Sequence, residues 1–205
     1  MERRFADAYA RAGADWAAAD AAACAARAGC ALTPGGVLVP FFGAPYLVSY
    51  PQGAVTAAGR QVHVAVAILL LHYLLTAGGA PPAGRWAAYR ELQGGLFYST
   101  SFAARAEAPL ARAFAAGVAG LEVFRAAAAR LGGEPLDLGD AAASFRVLPR
   151  VPVAVLVWLG DDEMPGEAKV LFDAGAGGYL PPEDLAGLGG QLAGRLAAAG
   201  AESRP

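Results

Sequence analysis

The order of elements in this 205-residue sequence predicts an α+β fold in which a small, largely antiparallel sheet is packed by several helices. Three observations carry the expectation. Long Ala-rich stretches with aromatic and Leu residues at helical spacing are interrupted by short β-branched and aromatic runs. Gly and Pro set those runs apart, and strict strand-helix-strand alternation is missing. A hydrophobic fraction of 56% against 17% charged residues excludes a disordered chain, and the length suits a single domain over 1–205.

Each element has its own signal. Residues 3–28 have high helix propensity with Phe5, Tyr9 and Trp16 on about one face, so one long N-terminal helix is expected, stopped by Gly29. Val37 to Phe42 and Tyr46 to Tyr50, separated by Gly43, Ala44 and Pro45, form a hairpin pattern, and Pro51, Gln52 and Gly53 mark the next turn. Arg60 to Thr76 is the second long helix, closed by a connection rich in Gly and Pro. Its apolar part is shorter than the roughly 20 residues a membrane span requires, so it is a buried core helix. Trp86 to Leu92 is a short extended or helical piece. Gly94 and Gly95 open a turn before Leu96 to Phe102, and Ala103 to Leu131 follows as helix with Pro109 marking a break or a fresh first turn. Ser144 to Leu148 and Val151 to Leu159 are strands, the second apolar on both faces and therefore central. Ala168 to Asp173 and a final helix from Pro181 to Ala199 complete the chain.

Several function classes are excluded. A net charge of -2 and a pI of about 5.7 provide no electrostatic footprint for nucleic acid or an anionic membrane. The charged N-terminal stretch lacks an apolar h-region, which makes the cytoplasm the expected compartment. Cys24 and Cys30 fit no disulfide framework, zinc set or iron-sulfur set, so no iron-sulfur cluster is expected from this chain alone. Neither Gly-rich phosphate loop occurs. The basic residues are almost all Arg, with Lys169 the one lysine, and the abundance of Ala, Gly, Arg and Pro reads in part as codon bias.

Three constellations remain. His63 and His72 lie nine positions apart, on opposite sides of a helix, and cannot share a metal. His63 is expected at the surface. His72, among Leu and Ile, is expected to be buried or to line an apolar cavity, where neutral imidazole serves as a core residue, an axial ligand to a tetrapyrrole metal or a general base. Phe97, Tyr98 and Phe102, beside two glycines and three hydroxyl residues, suit a loop that walls a ligand pocket or fills the core. Asp161 and Glu163 follow the apolar strand, and Asp173, Glu183 and Asp184 complete an acidic cluster for a hard cation if the chain folds back. The same residues also suit turns and the positive end of a helix.

The strings Leu70-Leu-His-Tyr-Leu74, Gly94-Gly-x-x-Tyr98 with Phe102, Phe145-x-x-Leu-Pro-Arg-Val-Pro152, Trp158-x-Gly-Asp-Asp-Glu163, Leu171-Phe-Asp173 and Tyr179-Leu-Pro-x-Glu-Asp184 occur in this order. In them the chain resembles, over about 60–196, an uncharacterised domain-of-unknown-function family, numbered thirty-seven eighty-six, found mostly in anaerobic bacteria and archaea. Some of its members look fused to a Cys-rich iron-sulfur domain of the kind seen in corrinoid one-carbon proteins, which implies cofactor handling by association. These 205 residues hold no such module, and Met164 stands where an aromatic is expected. The resemblance carries no established activity.

Three readings follow. The first is a small, non-catalytic accessory binding protein for an apolar or planar ligand such as a corrinoid or haem, with His72 and Tyr73 at the pocket wall, Tyr98 and Phe102 over one side, and Asp161 and Glu163 holding a mouth loop. The second is a metal-dependent hydrolase or transferase in which Asp161, Glu163 and Asp173 hold the cation and His72 or Tyr98 handles a proton. The third is a structural or protein-interaction module. A small-molecule ligand is the expected partner, without nucleic acid or membrane, and a homodimer stays open.

Overall fold

The computed structural model describes residues 2–202. The α+β class and the antiparallel pairing stand as the sequence indicates, with the strands divided between two five-stranded sheets in the orders β1-β2-β3-β4-β5 and β6-β10-β9-β8-β7. The chain forms two compact units. The first holds residues up to Pro81 together with Leu148–Arg150 and Gly178–Pro181; the second holds Pro82–Val147, Val151–Gly177 and the chain from Pro182.

In the first unit, helices α1 (Glu2–Ala18) and α2 (Ala21–Ala28) precede β1 (Ala31–Thr33), β2 (Gly36–Phe41), β3 (Ala44–Ser49), β4 (Val55–Ala57), β5 (Arg60–Gln61) and α3 (Val64–Thr76). The single helix expected over 3–28 is two. Asp20 breaks it, because its carboxylate accepts from Ala22 N at 2.9 Å and Ala23 N at 3.0 Å and so starts a new helix. Gly29, left-handed at φ 69°, ends α2 as expected. The predicted hairpin is β2 and β3, turning through Phe42 and Gly43, both at positive φ as a tight hairpin requires. Arg60 and Gln61 belong to a strand, and α3 starts only after His63, whose Nδ1 accepts from Ala65 N at 3.2 Å. Three-residue strands such as β1 and β4 left no periodicity to read.

Trp16 is fully buried and its indole donates to Ser49 O at 2.9 Å, which fixes α1 to the end of β3. Tyr73, on the buried face of α3, donates to Ala28 O at 2.7 Å and accepts from Arg150 N at 3.1 Å. Cys30 Sγ reaches the same carbonyl at 3.7 Å. One phenol therefore ties the end of α2 and the turn at Pro149 and Arg150 into this unit.

The second unit begins with β6 (Trp86–Ala88) and a 3-10 turn at Tyr89–Glu91, then a second 3-10 turn at Gly95–Tyr98. A short α4 (Ser99–Phe102), a π-helical turn (Ala103–Glu107), α5 (Ala108–Phe114) and α6 (Val118–Arg130) follow. Strands β7 (Glu134–Leu136), β8 (Ala141–Leu148), β9 (Val151–Trp158) and β10 (Glu167–Asp173) and helix α7 (Pro182–Glu202) complete it. Of the two roles expected for Pro109, a break or a fresh first turn, the structure has the second, since Pro109 lies in the first turn of α5, and a separate break lies at Ala115–Gly117, where Gly117 has φ 82°. Pro109 sits in the first turn of α5 and has no N–H for the carbonyl four residues back; the helix accommodates this as a π-turn and continues.

Strand β9 is central, as its two apolar faces require. Val153, Val155 and Val157 point to the side where Phe102, Phe114 and Phe124 and the Leu185, Leu188 and Leu192 ridge of α7 form the core. Gly189 is required there: a Cβ would lie 2.7 Å from the Phe102 ring. The opposite face carries Ala154 and Leu156 beneath half-buried Trp86, Trp158, Leu136 and Leu171.

Two outcomes follow. Tyr73→Phe leaves Ala28 O and Arg150 N short of a buried partner and lowers the urea-unfolding free energy by about 1–3 kcal/mol. Burial pushes the Cys30 thiol up to about 12 and also raises the Tyr73 phenol, so the unfolded chain releases these protons first. Their stabilisation is complete below about pH 9 and is lost as pH rises toward about 12. Melting temperature therefore falls over that window, and falls less steeply in Cys30→Ala; equal slopes contradict the assignment.

Candidate functional site

The largest cleft described lies in the second unit, has a volume of about 430 Å³, and exists because β6 is short. Its register with β10 runs Asp173↔Trp86, Phe172↔Ala87 and Leu171↔Ala88 and stops there. The ladder on this edge includes Ala174 N donating to Arg85 O at 2.8 Å. Continued by two residues past Phe172, it would bring Val170 N to Tyr89 O. Tyr89 O instead turns into the 3-10 turn and accepts from Leu92 N at 3.2 Å. Val170 N donates to Glu107 Oε1 at 3.3 Å, so a carboxylate carried by the π-turn replaces the missing strand carbonyl.

The cleft opens between these two partners. Tyr89 and Phe102 stack at 4.3 Å with 20° between their planes and make the aromatic wall. The phenol of Tyr89 donates to Pro182 O at 2.9 Å, and it is raised by burial and by the nearby Glu183 and Tyr98, against a lowering by Arg105. Gly95 is needed by close approach, since a Cβ there would lie 1.9 Å from Tyr89 O. Ser99 and Thr100 add hydroxyls, Leu171 an apolar patch, and Arg90 and Lys169 two cations. The Lys169 ammonium stands 3.5 Å from Glu107 Oε2 and 3.8 Å from Glu167 Oε2.

The residues singled out from the sequence are distributed over both units. Phe102 lines the cleft; Tyr98 is exposed and is not one of the cleft's lining residues. In the first unit, His72 is half-buried, with its carbonyl accepting from Thr76 Oγ1, and lines none of the clefts described, while Tyr73 is committed to the contacts above. Asp161 is exposed and holds its own turn: Oδ1 accepts from Met164 N at 2.8 Å and Glu163 N at 2.9 Å, which lowers its pKa. Glu163 shares that turn, and Glu183 and Asp184 occupy the first turn of α7. Asp173 is buried and accepts from Ala83 N, Gly84 N and Gly175 N, each at 2.8 Å. Among the described residues no three His, Cys, Asp or Glu side chains come together as a metal-ligand set.

The family model of DUF3786, a domain of unknown function, matches residues 20–195. The chain belongs to the DUF3786 family. The match begins at α2 and so includes the first sheet, which the resemblance over about 60–196 left outside. No curated protein and no solved structure matches the chain. In this DUF3786 chain the cleft residues that sequence reasoning passed over are Tyr89, Arg90, Glu107 and Lys169. The one available signal was that Lys169 is the only lysine among 16 basic residues.

Gly95→Ala places a methyl against the Tyr89 carbonyl and costs about 3 kcal/mol, the upper end of overpacking penalties. Thermal or urea unfolding measures it, and a loss smaller than about 0.5 kcal/mol, the range of neutral surface changes, contradicts the close approach.

Proposed function

We propose that this DUF3786 chain is a binding protein, and that the cleft between Tyr89, Phe102 and Lys169 takes a small ligand with an apolar or planar body and an anionic group. The geometry of Lys169 carries the reading. Charge-assisted N–H···O bonds run to about 2.7–2.9 Å. At 3.5 and 3.8 Å from its two carboxylates, the ammonium keeps donors for a guest. Glu107 also accepts from Val170 N on its other oxygen. Arg90 adds a second cation at the same cleft, while Tyr89, Phe102 and Leu171 supply apolar surface. A volume of about 430 Å³ falls in the range of small-molecule sites and suits one ring system with short substituents.

The cleft walls include no histidine, so they offer no axial imidazole to a corrinoid or haem, and the ligand proposed is the smaller one. The acidic residues, dispersed among a turn, a buried loop anchor and a helix start, favour binding over metal-dependent hydrolysis or transfer.

With one lysine in the chain, reductive methylation with carbon-13 formaldehyde labels Lys169 and the α-amine while keeping the charge. Benzoate is expected to shift the Lys169 methyl resonance saturably with a Kd of about 1 mM, roughly 4 kcal/mol of binding. Benzyl alcohol should move it far less. A Lys169 signal that is indifferent to benzoate contradicts the proposal.

A further inference from the structure

We propose a second ligand subsite, for a primary ammonium or guanidinium group on an apolar or planar body, in a trough of about 210 Å³ across the open face of the second sheet. All five strands of that sheet contribute to it: Trp86 from β6, Asp173 from β10, Pro152 from β9, Ser144 and Arg146 from β8, and Glu134 from β7. Asp173 decides the class of ligand. Its side chain is 2% exposed, and among the described residues no Arg, Lys or His nitrogen stands within ion-pair distance of it. Three backbone N–H groups stabilise the carboxylate without neutralising it, and Oδ2, which accepts only from Gly84 N, keeps acceptor capacity. A buried carboxylate lacking a counter-ion favours a cationic guest. The Trp86 indole in the same wall adds attraction for a cation over its face. Glu134 raises the negative charge of the trough and Arg146 offsets one unit of it, leaving a net excess of one carboxylate.

The subsite is separate from the cleft at Lys169. Lys169, Leu171 and Asp173 alternate along one face of β10, so the two charged positions lie four residues, roughly 13 Å, apart. The trough does not need the cleft to be occupied, and the two proposals stand or fall separately.

The test is a titration of the nitrogen-15-labelled protein with benzylammonium and, in parallel, with the neutral isostere benzyl alcohol, following the Trp86 indole N–H as assigned by Trp86→Phe. Benzylammonium is expected to shift that resonance saturably at concentrations at least about tenfold below those needed with the alcohol, a difference of about 1.4 kcal/mol. Equal responses to the two probes, or a Trp86 signal that neither moves, overturn the proposal. Asp173→Asn is expected to abolish the preference for the cation while the Lys169 methyl signal still answers benzoate. If that variant does not fold, Glu134→Gln at an exposed position and added salt must each weaken benzylammonium binding and spare benzyl alcohol; no weakening in either counts against the subsite.

Discussion

The second unit depends on how one backbone N–H is satisfied. Strand β10 pairs with β9 from Glu167 to Phe172 but with β6 only from Leu171 to Asp173, because β6 ends at Ala88. Val170 is fully buried, and an orphaned N–H there would cost about 1–3 kcal/mol. Glu107 supplies the acceptor. The π-turn that carries Glu107 exists because Pro109 interrupts the regular helix ladder, and the cleft is the space between that turn and the 3-10 turn that carried Tyr89 away. Local backbone chemistry thus determines where the opening lies, and Lys169 lies beside the opening because it precedes Val170.

The first unit solves a comparable problem with a phenol. Tyr73 bonds at once to the carbonyl that ends α2 and to the N–H of Arg150, so segments separated by 45 and 77 positions share one side chain. Gly29 is left-handed at this junction, and a Cβ there would lie 3.0 Å from the Arg150 guanidine. Tyr73, which the sequence offered as a pocket wall, is therefore a structural tie in this unit, and its raised pKa follows from burial at that tie.

The sequence made much of the fold legible and little of the site. The β2-β3 hairpin, the central position of β9, α3 and α7 were readable because each carries a strong period, a turn signal or an unbroken apolar run. The helix propensity of the alanines around Asp20 hides the division there, and strands of two or three residues have no period to detect. Of the cleft, Phe102 and the loop before it were visible as aromatics beside Gly and hydroxyl residues. Glu107 was hidden, because its role arises from a π-turn and from the register of a strand 63 positions away. In the sequence Asp173 is one of five carboxylates of a candidate acidic cluster, and only its burial beside Gly84 and Trp86 separates it from the others.

A carboxylate stands where a strand carbonyl is missing, and hydrogen exchange at the Val170 amide tests this most directly. In the wild type that amide should exchange slowly, like Phe172 N–H within the paired part of β10. In Glu107→Ala it should exchange faster by about tenfold or more, the 1.4 kcal/mol equivalent of one lost hydrogen bond, with Phe172 unchanged and with protection retained in Glu107→Gln. Equal protection of Val170 in wild type and Glu107→Ala would mean that another group satisfies the strand edge, and the origin assigned to the cleft would be contradicted.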